Sequence, residues 1–490
     1  MYLALATITE LLQQMAPAIG SGSVIAVAVI CIFLLLVSTL YYIFPAKARG
    51  IYLLIISYLF YCIEAQTFAL FLLLSTLITY YSGKCIAGTE SKSKRRWALY
   101  TTLVLNFGLL FLLKFQTNFQ LISFPRMYLI FLPVGMSFYM FRATGYVMDL
   151  YNKTLLKSED NFVSYALFVS FFPAILAGPI QKASDLIPQI NNPAKFSRKN
   201  IELGIRGIVT GLFLKLVIAD NLSVNFAPFD LFSSEISTGQ AWLATLIYPI
   251  RLYTDFLGYS LIAIGAANLL GFNIEDNFDK PFLAENIPTF WRKWHISLTN
   301  WMNDYVFSPL SILLRGWNIW GIAIASGFIF ILVGIWHGGT ANYIIFGGIH
   351  ALAVSISILC QKSRKRFEKK HGLKENKIYC LLRMLATYLI VSFSFIFFRS
   401  IDLSSSLQTI QALFGGASGI PWEWNRQVTA AALATAILFI YEIKDTYFPN
   451  SVKLLNSDKI YIRIIVYCML FAATILWGSD RFLDFIYFKF

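Results

Sequence analysis

Charge is what this sequence has least of. Only 13% of its 490 residues are Asp, Glu, Lys or Arg, while 57% are hydrophobic and 17% aromatic, with a mean hydropathy of +0.64. Soluble globular chains carry roughly 25% charged residues. At half that share there are too few polar side chains to cover a surface facing water, so the bilayer is the expected solvent. Cysteine is sparse too. Cys31, Cys62, Cys85, Cys360, Cys380 and Cys468 form no CxxC pair and have no histidine at ligand spacing, which points away from a disulfide framework and from a zinc site. Neither a metal nor a tightly bound cofactor is expected. The first twenty residues hold Glu10 and no basic run, so the apolar stretch from Val24 reads as a retained span rather than a cleavable signal. With no repeat of fixed period and no low-complexity linker, residues 1–490 read as one membrane domain.

The charge that is present is mostly basic, a formal +14, and it is clustered. One group is Lys84, Lys92, Lys94, Arg95 and Arg96; the other runs from Lys362 through Arg364, Lys365, Arg366, Lys369, Lys370 and Lys374 to Lys377. Both lie in short loops between apolar runs, as the positive-inside bias produces, and not on an aromatic-interleaved stripe of the kind that binds nucleic acid. Both loops are expected on the cytoplasmic side, with no nucleic-acid partner. A span needs about 20 apolar residues. Thirteen stretches between residues 24 and 478 qualify or come close, among them 127–142, 162–180, 206–228 and 241–271. The expected fold is therefore all-α, a polytopic bundle of roughly ten to thirteen spans. The stretch 241–271 contains Arg251 and Asp255 and is the place where a break or a re-entrant pair is expected. Residues 272–317 are too polar to span and too aromatic for an ordinary loop, which suits an interfacial or half-buried helix beside a water-filled cavity.

Four histidines exist: His295, His337, His350 and His371. His371 lies in the second basic loop and reads as solvated. His350, in FGGIHALAV, is either a buried imidazole bonded to a backbone carbonyl or a functional group. His337 stands in GIWHGGTAN at the junction of two apolar runs, with glycines that let a backbone or a ligand approach closely. A titratable side chain at membrane depth marks a site by default; a structural hydrogen bond is the other reading. His295, in TFWRKWHISLTNWMNDY, is placed on an amphipathic helix with Trp291 and Trp294 near its face, either as part of an interfacial anchor belt or as part of the site. Moving an acyl group from a thioester to a hydroxyl needs a base with a pKa near neutrality, and imidazole suits that task.

At these segments the sequence resembles the membrane-bound O-acyltransferase family, in its bacterial branch of alginate O-acetylation and teichoic acid D-alanylation membrane proteins. The matching pieces run in order: LPVGMSFYMFRATGYVMDLY (132–151), FFPAILAGPIQKASDLIPQI (171–190), DFLGYSLIAIGAANLLGFNIEDNFDKPF (255–282), FWRKWHISLTNWMNDYVFSPL (290–310), GIWHGGTANYIIFGGIHAL (334–352), FFRS (397–400) and FIYFKF (485–490). The resemblance implies that His337 is the catalytic histidine and His295 a second functional histidine in a central tunnel. It further implies an acyl, above all acetyl, group taken from a cytoplasmic thioester, either acetyl-CoA or an acyl carrier. The acceptor would be an envelope polysaccharide or a hydrolase-like envelope partner protein, and the setting the inner membrane. Two departures stand beside the tunnel: Asn303 before Asp304, where the family often has a basic residue, and FSPLSILLRG where it often reads YIPLGG. A transporter or export channel is the rival from another class, since Asp255, His295 and His337 could line a proton or solute path; lipidation of a protein by the same superfamily is a second.

Overall fold

A computed structural model describes residues 22–65, 68–119, 135–226, 236–416, 418–419, 421–448, 454–480, 483 and 485. The first twenty residues, read as lacking a cleavable signal, lie outside these residues, as do parts of four other expected features: the span 127–142 before residue 135, residues 227–228 of the span 206–228, residues 132–134 of the first matching piece and 486–490 of the last.

The described residues are helical. In chain order the helices are α1 (Gly22–Ile43), α2 (Ala46–Ala65), α3 (Ala69–Ala87), α4 (Lys92–Phe119), α5 (Met136–Tyr151), α6 (Phe162–Ser170), α7 (Phe172–Ile175), α8 (Ala183–Asn191), α9 (Arg198–Phe213), α10 (Asn221–Phe226) and α11 (Thr238–Leu269). Then follow α12 (Ile287–Lys293), α13 (Ile296–Met302), α14 (Ser308–Leu313), α15 (Asn318–His337), α16 (Ala341–Leu359), α17 (Gln361–Lys370), α18 (Lys377–Arg399), α19 (Leu403–Gly415), α20 (Arg426–Tyr447) and α21 (Ile460–Trp477). Among the described residues the only β pairing is a bridge between Phe278 and Trp294. Among the described residues eight segments, corresponding to α2, α3, α4, α15, α16, α18, α20 and α21, are long and apolar enough to cross a membrane. Their outward side chains are apolar, as lipid requires: Ile437 is 63% exposed and Ile464 54%. The chain is an all-α, multi-pass membrane protein.

Two of the expected spans take another form. Residues 162–180 do not make one helix, because Pro173 has no N–H to give Val169 and the chain breaks between α6 and α7. The freed carbonyls are satisfied from within: buried Arg142 donates to the oxygens of Phe168, Val169 and Ala174 at 3.1–3.2 Å. The stretch 241–271, where a break or a re-entrant pair is expected, lies up to Leu269 in the unbroken 32-residue α11, with Pro249 inside it. Asp255 is 4% exposed, and the Arg251 guanidinium lies over the Tyr248 ring. Charge shielded inside protein does not interrupt a helix as charge facing lipid would.

The chain divides into two compact units. The first comprises residues 1–216, 257–276 and 458–490, and the second residues 217–256 and 277–457. In the first, α3 packs on α4, α5 and α6, and α9 packs on α21. In the second, the dominant contact is the antiparallel hairpin of α15 and α16, which also meets α12 and α18. All four histidines belong to the second unit.

Candidate active site

The α15–α16 hairpin owes its closeness to glycine. A β-carbon on Gly334 would stand 2.3 Å from the Tyr343 carbonyl, and one on Gly347 would stand 2.4 Å from the Phe330 carbonyl. Neither helix could approach the other with side chains there. His337 ends α15 at this junction and is 4% exposed. Its ring lies 4.8 Å from that of Phe398 and 6.0 Å from that of Phe346, both edge-on, with Tyr343 at 6.3 Å. Asn342, five residues on, donates from Nδ2 to the Ser400 carbonyl at 3.0 Å and so fixes the start of α16 against the end of α18. Among the described residues, no protein group bonds to Asn342 Oδ1 or Thr340 Oγ1, although both atoms are buried.

His295 is not on a helix. The segment expected as one amphipathic helix is divided: Asn286 caps α12 by accepting from the Thr289 N–H, Trp294 is extended, His295 adopts left-handed φ +46° and ψ +55°, and α13 begins after it. Such a conformation costs a non-glycine residue about 1–2 kcal/mol. It is held by the strand-like return of residues 277–279, with the Asp279 N–H donating to the Lys293 carbonyl and the Ile296 N–H to the Asn277 carbonyl. The segment is not an interfacial belt either, since Trp294 and His295 are each 1% exposed and Trp291 is 6%. Arg292 and Asn300 face outward, and Asn277 is a polar neighbour of the imidazole.

The geometry there fixes the tautomer. Asn277 Oδ1 receives the Ser297 N–H at 3.3 Å and the Ser297 hydroxyl at 2.8 Å. A backbone N–H can only donate, so the atom facing it is the amide oxygen, and His295 Nδ1, 3.2 Å away, must carry a proton to bond with it. Burial pulls the His295 pKa down to about 3. The ring is therefore neutral at physiological pH, with the lone pair on Nε2. Phe256 packs edge-on at 4.7 Å.

His350 is engaged on both nitrogens. The Ser394 hydroxyl donates to the Val391 carbonyl at 2.7 Å, so its oxygen accepts from His350 Nε2–H at 2.9 Å, and Nδ1 accepts the Trp291 indole N–H at 3.1 Å. The bond expected to a backbone carbonyl is made through a serine and a tryptophan instead. This histidine braces the core. His371 follows α17 in the basic loop, exposed.

Aromatic rings connect the histidines. Phe346 touches His337 and also lies 4.9 Å from His350 and 5.8 Å from Phe395. Phe395 is 5.9 Å from Trp294, the neighbour of His295. Beside this cluster lies a cavity of about 310 Å³, bounded by Trp291, Thr299, Phe330 and Val333 and edged by Arg292 and Arg364. Asn277, Asn342 and the Trp291–His350–Ser394 chain were not singled out from sequence. Each pairs residues 18 to 59 positions apart, a relation that local spacing does not carry.

Comparison with known proteins adds a lineage. The profile of the membrane-bound O-acyltransferase family matches residues 153–396. A probable alginate O-acetylase of Pseudomonas putida is 30% identical over 85% of this chain and 89% of its own length. The peptidoglycan O-acetyltransferase of Helicobacter pylori is 32% identical over 70% of this chain and 69% of its own. The teichoic acid D-alanyltransferase of Bacillus subtilis is 28% identical over 54% of this chain and 68% of its own.

Proposed function

This chain belongs to the membrane-bound O-acyltransferase family and is an O-acyltransferase, and from that premise we propose that it acetylates hydroxyl groups of a cell-envelope polysaccharide, directly or through a hydrolase-like envelope partner, from within the cytoplasmic membrane. The acetyl group comes from a cytoplasmic thioester, acetyl-CoA or an acyl carrier. His337 is the general base. It takes the acceptor hydroxyl proton as the oxygen attacks the thioester carbonyl; the C–S bond breaks, the C–O ester bond forms, and the proton passes to the departing thiolate.

The observation that carries this reading is the hairpin junction. A buried imidazole ends a spanning helix there, with the Asn342 and Thr340 oxygens left to a ligand within five residues of it. His295, neutral and held beside Asn277, is the second histidine of the site. The cavity edged by Arg292 and Arg364 would take the phosphate-bearing arm of the donor, because guanidinium forks match phosphate oxygens. At about 310 Å³ it is at the small end of ligand pockets, which fits an arm rather than a whole carrier.

The test uses purified protein in proteoliposomes with an acetyl thioester and an oligosaccharide acceptor. Thioester consumption with alkali-labile acetyl esters on the glycan is expected, and a His337→Ala rate lower by about 10²–10⁴-fold, as loss of a general base brings. Solute movement without thioester consumption would instead favour the transporter reading, and ester formation by His337→Ala at more than half the wild-type rate would remove His337 from its role.

A further inference from the structure

The first unit holds a second, unrelated cavity. Between α1 and α9 runs an open groove of about 690 Å³ lined by Leu34, Leu35, Ile201, Ile205 and Val209, with Leu269 of α11 also in its wall. Its walls are almost wholly apolar, and several of its side chains stand out from the protein: Leu35 is 64% exposed and Ile205 44%. Close-packed proteins rarely leave such a gap unfilled. α1 is apolar throughout, whereas α9 is amphipathic and turns Ile201, Ile205, Ile208 and Val209 to the groove, so an acyl chain under a polar headgroup is the filler at hand.

One end of the groove changes character. Tyr42 lines it, and the Tyr42 hydroxyl, though buried, has no hydrogen-bond partner among the described residues. The Phe196 ring packs edge-on against it at 5.3 Å while remaining 61% exposed. Arg49 lies over the Tyr42 ring and donates to the carbonyls of Tyr42, Phe44 and Ala194, tying the end of α1 to the segment before α9. Around this joint stand Lys47, Lys195, Arg198 and Lys199, all exposed, and residues 44–50 and 192–200 contain no acid at all. Glu202, the first acid beyond them, is held by Arg463 at 2.7 Å. The two segments that form this end thus carry four exposed basic groups and no acid, while the segment from Gly271, which packs on Tyr42 and Ala194, brings Glu275 and Asp276 after it.

The sidedness agrees. If α2 and α3 each cross the membrane, residues 44–50 emerge on the same face as the basic run from Lys84 to Arg96. By the positive-inside bias that face is cytoplasmic, and each basic group near an anionic leaflet adds about 1 kcal/mol of attraction.

We propose that the α1–α9 groove is a binding site for an anionic glycerophospholipid of the cytoplasmic leaflet. One acyl chain lies along Leu34, Leu35 and Ile205, and the phosphate rests on Lys195, Arg198 and Lys199, with the Tyr42 hydroxyl in reach of the ester region. The lipid completes the packing between α1 and α9 that no described side chain completes. The site is independent of the histidines and of the reaction proposed for them.

Native mass spectrometry of the full chain in detergent, titrated with dioleoyl-phosphatidylglycerol or dioleoyl-phosphatidylcholine, tests it. The first phosphatidylglycerol should bind at least about fivefold more tightly than the first phosphatidylcholine, since a few basic contacts supply that much. Lys195→Glu, Arg198→Glu and Lys199→Glu together should abolish the preference. Ile205→Trp, an exposed position where bulk cannot unfold the helix, should weaken both lipids. Equal binding of the two lipids by the unaltered protein would overturn the proposal, as would a preference that survives the triple reversal.

Discussion

His337 ends a twenty-residue helix packed tightly along a glycine-lined hairpin, whereas His295 sits at a left-handed junction between two seven-residue helices. The first is placed by regular structure, since once α15 and α16 are helical and small at their contact, the imidazole has one position. The second is placed by exceptions: an extended Trp294, a strained residue, and a bond to Asn277 from a returning segment. Strain that surrounding structure maintains gathers at functional sites, and here it has a product. It holds one tautomer of one neutral imidazole with Nε2 as acceptor. A regular helix brings one buried imidazole to the hairpin junction, while an irregular turn sets the tautomer of the other; in the reaction proposed above the first would be the base and the second a partner in the site.

That contrast can be broken at His295. Asparagine tolerates the left-handed region and its amide can still donate to Asn277, so His295→Asn keeps the turn and deletes Nε2. Turnover should fall at least about tenfold, as the loss of one hydrogen bond worth about 1.4 kcal/mol brings, with the amount of folded protein unchanged by size-exclusion chromatography. Turnover within a factor of two of the parent would leave His295 as a brace like His350.

A smaller effect sharpens the same comparison at His350. Its two bonds need one acceptor and one donor, which a glutamine amide also supplies. Turnover per folded molecule in His350→Gln should stay within about threefold of the parent. In His350→Leu the yield of folded protein should drop instead, because a buried indole N–H left without an acceptor costs about 1–3 kcal/mol. A tenfold loss of turnover in the glutamine variant at full yield would return His350 to the chemistry.

How far the sequence carried the reading follows the same division. The hairpin was legible because its determinants, Gly334, His337, Gly338 and Gly347, lie within fourteen residues of one another and are the kinds that mark close approach. The His295 turn was not, since a helical pattern of tryptophans around it is locally sound and is overruled by Asn277, eighteen residues upstream. The break at Pro173 could be suspected from the proline, but that a buried Arg142 repairs it could not, because the partners lie 26 to 32 residues apart. Arg251 and Asp255 misled in the opposite direction: polarity in an apolar run predicts a break only when the charge must face lipid, and exposure is a property of the fold.

The central claim is that two histidines held in such different ways serve one acyl transfer, and a double-mutant cycle tests it most directly. Rates of acetyl ester formation would be measured in proteoliposomes for the parent, His337→Ala, His295→Asn and the double variant. Residues that act on one transition state are strongly non-additive, so the double variant should be within about threefold of His337→Ala alone. Losses that multiply, with the double variant at least about tenfold below His337→Ala, would mean that the two side chains act independently and would contradict the account.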